Sequence, residues 1–107
     1  MRFSKEEIQE ALCLRHTHEI QERLDRGRVA VAGLGGLGSF VAVALARIGV
    51  GHLHLIDHDQ VDLTNLNRQQ YFIRHVGMYK TDALREQLLE INPYLDIRTD
   101  CVRVREE

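Results

Sequence analysis

The sequence predicts an α/β fold: a Rossmann-like parallel sheet, the βαβαβ half of a doubly wound domain, with an N-terminal helix in front of it. Three observations lead there. A Val/Ala run, RVAVA (Arg28–Ala32), enters a glycine-rich loop, GLGGLGS (Gly33–Ser39). A second apolar run, HLHLID (His52–Asp57), follows, and helix-patterned segments alternate with both. The 107 residues are enough for one core and too few for two ordinary domains. The chain therefore divides into an N-terminal helix over residues 1–27 and a nucleotide-binding domain over residues 28–107.

Ser4 and Glu7 have the spacing of a capping box, and helix formers continue to about Leu24, where Asp25 to Gly27 end the helix. Its apolar positions (Ile8, Ala11, Leu12, Ile20, Leu24) follow one face only loosely, so it should pack on the domain surface. Arg28–Ala32 reads as a short buried strand. SFVAVALARIG, from Ser39, reads as an alanine-rich helix that Gly49 caps and that needs cover on most sides. His52–Asp57 is the second strand. From His58 to Met78 no period emerges, which predicts a long loop with a turn of helix, and long loops in small domains usually serve a function. KTDALREQLLEI, from Lys80, puts Leu84, Leu88 and Ile91 on one face of a helix ended by Asn92 and Pro93. The last strand should run from Asp96 to Val104, with Ile97 and Thr99 on one face and Arg98 and Asp100 on the other. In the doubly wound fold the first strand is internal. With three strands its outer edge is expected to be open, covered by another chain, or continued by further residues.

Composition narrows the function. Fourteen basic against sixteen acidic residues, a net charge of -2, call for neither nucleic acid nor an anionic membrane surface. Cys13 and Cys101 form no disulfide framework or zinc knuckle, which fits a reducing, cytoplasmic setting. MRFSKEEIQE is charged where a secretion signal needs an apolar core. Val29 to Ala46 lacks charge, yet Gly33, Gly35, Gly36 and Gly38 would break a membrane span. No metal site is expected. His16 and His18 diverge on a helix, and His52 and His54 share a strand face without a matching carboxylate or cysteine in sequence. Cys101, in the predicted last strand, reads as a structural thiol, and Cys13 has no better claim as a nucleophile.

GLGGLG satisfies G-x-G-x-x-G between a strand and a helix, and Asp57 lies about 20 residues further on. Glycine lets the backbone approach a phosphate, the helix N-terminus offers unpaired N–H groups, and the acid accepts ribose hydroxyls. That is the logic of a dinucleotide or adenine-nucleotide site, and it does not choose between them; a tight turn that merely packs a helix on a strand is the bland account. The segment after Asp57 discriminates. It holds Asn65, Asn67, Arg68, Gln69 and Lys80, donors suited to a triphosphate: Arg68 as a planar fork, Lys80 as a point charge, both offsetting charge on a leaving pyrophosphate. Arg68 as a solvated arginine and Lys80 as an exposed helix-start residue are the alternatives, although a lysine there opposes the helix dipole.

GLGGLGS, LIDHDQVDLTNLNRQ and VGMYK stand in an order and spacing that resembles the ThiF, MoeB and HesA family, ubiquitin-activating-like adenylyltransferases, over roughly Arg28 to Pro93. NLNRQQYF with INPY is most similar to the short ThiF-like proteins of thiamine biosynthesis. The resemblance implies ATP as cosubstrate with Mg2+, a ubiquitin-like sulfur carrier protein as partner, and a homodimer. It implies attack of the carrier's C-terminal carboxylate on the α-phosphate, giving an acyl-adenylate and pyrophosphate. By the same likeness Arg68 and Lys80 are the catalytic cations. Gly33, Gly35, Gly36, Gly38, Asp57, Asp59, Asn65 and Gln69 join them around the nucleotide, with Gly36 against it and Asp57 on the ribose. The family's magnesium-binding aspartate follows a fourth strand absent from these residues, so nucleotide binding is expected more firmly than turnover. RHTHEI (Arg15–Ile20) places His18 where longer relatives carry an arginine that reaches the partner subunit's site. Rival readings are an NAD-binding oxidoreductase half, a non-catalytic carrier-binding or dimerising module, and, within the family, an enzyme that activates a tRNA base.

Overall fold

Three parallel strands, β1 (Arg28–Ala32), β2 (His52–Ile56) and β3 (Asp96–Asp100), form the sheet in the computed structural model, which describes residues 2–12 and 18–103. They lie in the order β1-β2-β3, with Arg28, His52 and Asp96 level at one end and Ala32, Ile56 and Asp100 at the other. Two helices make the crossovers, α3 (Gly36–Arg47) and α4 (Lys80–Ile91). Right-handed crossovers put both on one face of the sheet. There Val31, Leu53 and Leu55 meet Ala42 and Ala46 of α3 and Ala83, Leu84 and Leu88 of α4 in a single core. Burial of that apolar surface is the main force holding the layers together.

The opposite sheet face carries polar side chains and is open among the described residues. His52 Nδ1 lies 2.7 Å from Asp96 Oδ2, and His54 Nε2 lies 2.5 Å from Asp100 Oδ2. The expectation that these histidines lack carboxylates is therefore corrected: strand register supplies partners that sequence separation hid. A groove on this face is lined by Arg28, Ala30, His52, His54, Asp96 and Arg98, among others.

The N-terminal segment also differs from expectation. Instead of one helix there are two, α1 (Lys5–Leu12) and α2 (His18–Arg26); residues 13–17, with Cys13, Arg15 and His16, lie outside the described residues, as does the His18 side chain. Lys5, Glu6, Gln21 and Asp25 border one cleft, which a continuous helix could not allow at about 1.5 Å of rise per residue. Ser4 and Glu7 do form the capping box, by reciprocal bonds of 3.1 and 3.2 Å. The pair is tied down where Gln9 donates to Gly49 O and where Gly51 N–H donates to Leu24 O.

β3 stops at Asp100, so Cys101 follows the strand and is exposed rather than part of it. Leu37 and Phe40 of α3, and Ile48 just after it, are exposed too, and β1 pairs only with β2 among the described residues. The cover expected for α3 is thus incomplete among the described residues, and Leu37 shares a groove with the β1 residues Val29 to Ala32. No helix among the described residues is long and apolar enough to cross a membrane.

The loop after β2 is ordered by two 3-10 turns, Leu63–Asn67 and Ile73–His75, and returns to the fold through an antiparallel bridge between Gln60 and Tyr79. His75 is fully enclosed there. Its Nδ1 accepts from Phe72 N–H at 2.9 Å, which leaves the proton on Nε2, an atom with no hydrogen-bond partner. Burial, with the Arg74 charge beside it, holds the His75 pKa below the ordinary 6.5, against opposing pulls from Glu86 and Glu90. The unfolded chain therefore binds a proton that the folded chain refuses. His75's contribution to stability is complete above about pH 6.5 and declines as the pH falls below it. Urea midpoints measured between pH 7.5 and 5 should fall more steeply for the wild type than for His75→Gln; parallel slopes would show that His75 plays no part in acid sensitivity.

Candidate functional site

The C-terminal end of β1 opens onto the glycine loop, and the loop's shape follows from two close approaches. Gly33 has φ +86°, a conformation that side-chain-bearing residues rarely adopt. Gly38 lies so near Gly33 that a Cβ on it would fall 1.7 Å from the Gly33 carbonyl oxygen. The first turn of α3 is thereby pressed against the end of β1. α3 begins at Gly36, inside the glycine loop and earlier than the Ser39 start expected. Its N-terminus has no side-chain cap, so its first N–H groups remain available to an acceptor.

Asp57 follows β2 and is buried. Both carboxylate oxygens accept backbone N–H groups: Oδ2 from Leu34 and Oδ1 from Asp59, each at 2.7 Å. This acid therefore organises the loop it faces, and its remaining lone pairs are what a ribose could use. Tyr71 is a contributor that the sequence reading assigned no role, although it stands within the quoted QQYF. Its hydroxyl donates to Leu34 O at 2.6 Å, and burial, then the Asp57 charge, drives its pKa well up. Ser39 Oγ donates to Gly35 O, and Gln70 N–H reaches Ser39 Oγ at 3.4 Å. Residues 68–71 are in this way strapped across the glycine loop.

The strap brings the expected residues to the loop, with distinct roles. A Cβ on Gly36 would lie 3.4 Å from Arg68 O and 4.0 Å from Arg68 Cγ, so the exposed Arg68 starts from the mouth of the α3 N-terminus. Gln69 is buried, its Nε2 is 3.8 Å from the Cβ position of Gly35, and its Oε1 has no partner. Asn65 serves the strap itself: its Oδ1 accepts from Asp62 N–H at 2.8 Å in a capping box. Thr64 N–H and hydroxyl contacts hold the Asp62 carboxyl below its usual range.

Lys80 departs most from the bland alternative. It is 6% exposed, and no hydrogen bond from its ammonium is formed among the described residues; the nearest carboxylate oxygen, Asp59 Oδ2, is 4.0 Å away. Asp59 is linked through Asp57 to Leu34 of the glycine loop, and Arg68 lies against Gly36 of that same loop. Both cations are thus linked to the glycine loop, Arg68 by direct approach to Gly36 and Lys80 through Asp59 and Asp57. A largely buried lysine whose ammonium has no hydrogen-bonded partner among the described residues is a candidate to hold an anion.

Asp57, His58 and Asp59 place ligand atoms within 4.8 Å of one another. This set does not suit magnesium, which demands octahedral oxygen ligation. Asp57 already accepts two N–H groups, one donor is an imidazole, and Asp59 faces the Lys80 and His58 side chains.

Similar proteins agree with this geometry. A model described as the ThiF family matches residues 8–107. The tRNA threonylcarbamoyladenosine dehydratase of Bacillus subtilis (strain 168) is 47% identical over 77 residues, covering 71% of this chain and 30% of that protein. Ubiquitin-like modifier-activating enzyme 5 of Caenorhabditis elegans is 43% identical over 76 residues, 71% of this chain and 18% of that one. Among solved structures, the E. coli tRNA N6-threonylcarbamoyladenosine dehydratase in complex with ATP superposes with a TM-score of 0.83 at 34% identity, over 88% of this chain and 39% of that chain. The chain thus spans well under half the length of these relatives.

Proposed function

Because the chain belongs to the ThiF family, we propose that it forms the nucleotide-binding part of an ATP-dependent adenylyltransferase. The observation that carries this reading is Lys80, largely buried, linked to the glycine loop through Asp59 and Asp57, and with no hydrogen bond from its ammonium among the described residues. In the proposed reaction a carboxylate oxygen attacks the α-phosphate of ATP and the bond from that phosphorus to the bridging oxygen breaks. Pyrophosphate leaves with the electron pair, and an acyl-adenylate remains. Arg68 and Lys80 hold the β- and γ-phosphates and offset charge on the leaving group, while the first N–H groups of α3 face the phosphates. Asp57 accepts the ribose hydroxyls, and Gln69 borders the loop. Catalysis rests on positioning and charge, with no acid–base pair required.

The acceptor proposed first is the C-terminal carboxylate of a ubiquitin-like sulfur carrier of the thiamine type, in the cytoplasm, with the enzyme as a homodimer. The similarity to a ubiquitin-like modifier-activating enzyme supports a protein acceptor. A tRNA-borne acceptor is the second reading, favoured by the similarity to two tRNA dehydratases. Pyrophosphate release stimulated by a carrier ending in Gly-Gly, and not by tRNA, selects the first; the converse selects the second.

The nucleotide step is tested separately by calorimetry. Arg68→Ala and Lys80→Ala should each weaken ATP binding by about 10- to 100-fold, the loss of one charge-assisted contact worth roughly 1.5–3 kcal/mol. Wild-type affinity in both variants, or tighter binding of NAD than of ATP, would remove the basis of the proposal.

A further inference from the structure

Lys80 is connected to the glycine loop through two residues, Asp59 and then Asp57, which accepts from Leu34 N–H. The Lys80 backbone N–H donates to Asp59 O at 2.9 Å, and Asp59 N–H donates to Asp57 Oδ1 at 2.7 Å. The Asp59 carboxylate meanwhile stands between two groups: Oδ1 is 3.2 Å from His58 Nε2 and Oδ2 is 4.0 Å from Lys80 Nζ. The longer separation is an ion-pair contact and no hydrogen bond. Lys80 therefore has its charge compensated while, among the described residues, none of its three donors is hydrogen-bonded. The Asp59 side chain is 55% exposed, the Lys80 side chain 8%.

We infer that Asp59 is the resting counter-ion of Lys80, a positioning residue that compensates the charge of the largely buried lysine without occupying its donors and is displaced by incoming phosphate. The inference rests on the nucleotide reading above. Phosphate oxygens make charge-assisted hydrogen bonds of about 2.7–2.9 Å, which a carboxylate at the observed separation does not. Once displaced, Asp59 loses little, because water and His58 already solvate it. A permanent structural partner would instead be hydrogen-bonded and buried with the lysine. The consequence is that every anion entering the site competes with Asp59, and affinity is held below what Lys80 alone would give.

Asp59→Asn removes the charge and keeps both backbone hydrogen bonds, and Asp59→Ser is a second variant should the first fold poorly. Inorganic tripolyphosphate and ATP are titrated by calorimetry, in metal-free buffer, into the wild type, Asp59→Asn, Lys80→Met and the double variant. Removing the competitor should tighten anion binding by about 3- to 10-fold, as for loss of a partly exposed pair. In the Lys80→Met background the same substitution should produce less than half that change on a logarithmic scale. An equal gain in both backgrounds would mean simple repulsion between Asp59 and phosphate, and unchanged or weaker binding by Asp59→Asn would mean no competition; either overturns the inference. The tripolyphosphate arm separates it from the nucleotide reading. Binding of tripolyphosphate with the expected coupling, but no binding of ATP, keeps the counter-ion and discards the adenylyl reaction. No binding of either anion by any variant discards both.

Discussion

Gly38→Ala is expected to cost at least about 3 kcal/mol of folding stability, beyond the roughly 1–3 kcal/mol of ordinary overpacking. The added Cβ would lie 1.7 Å from the Gly33 oxygen and 2.8 Å from the Gly33 carbonyl carbon. Both are backbone atoms, so no side-chain rotation relieves the clash. Relief requires the first turn of α3 to lift off the end of β1, which would separate Ala42 and Ala46 from Val31 and Leu53 in the core. A domain of this size has about 5–15 kcal/mol in total. Urea unfolding should therefore show a large drop in midpoint or no folded baseline. Gly36→Ala is the control. Its Cβ meets nothing closer than 3.4 Å, and alanine inside a helix is favoured over glycine by about 0.5–1 kcal/mol. Its stability should hold or rise, while proposed nucleotide binding, which needs the bare backbone at Gly36, should weaken. Equal midpoints for the two variants would show that the loop is not wedged as described.

These glycines illustrate what the sequence made legible. The order of β1, α3, β2, α4 and β3 could be read from local pattern, because short apolar runs and a helical stripe depend only on near neighbours. α4 matches its expected limits, Lys80 to Ile91, since Leu84 and Leu88 fix its buried face and Asn92 with Pro93 stops it. Of the side chains expected at the site, Asp57, Arg68 and Gln69 lie against the glycine loop. What stayed hidden depends on contacts between distant segments. The pairing of His52 with Asp96 and of His54 with Asp100 is a matter of strand register. The burial of Lys80 is likewise a tertiary outcome, in which Asp59, 21 positions earlier in the chain, lies against it. Tyr71 escaped notice as a functional group because its partner, the Leu34 carbonyl, is a backbone atom and leaves no mark in the side-chain sequence.

Asp57→Ala should destabilise the protein by about 2–4 kcal/mol in the absence of any ligand. The substitution strips acceptors from two backbone donors at once, each bonded to a charged oxygen, and hydrogen bonds to charged groups contribute about 1.5–3 kcal/mol. Leu34 N–H bears the larger loss, since Leu34 is fully buried, whereas water can replace part of the bond at the exposed Asp59. Asp57→Asn separates geometry from charge. An amide offers one oxygen and turns its NH2 toward the other N–H, so one bond survives and the second becomes a donor–donor clash; stability should fall between wild type and alanine. Two measurements check the argument. Urea midpoints without nucleotide should rank wild type, then Asn, then Ala. The ionisation of Tyr71, read by ultraviolet absorbance, should shift downward in both variants, because the Asp57 charge is one of the causes that raise its pKa. If Asp57 served only a ribose, the midpoints would coincide, and the carboxylate's place as the tie between β2 and the glycine loop would have to be given up.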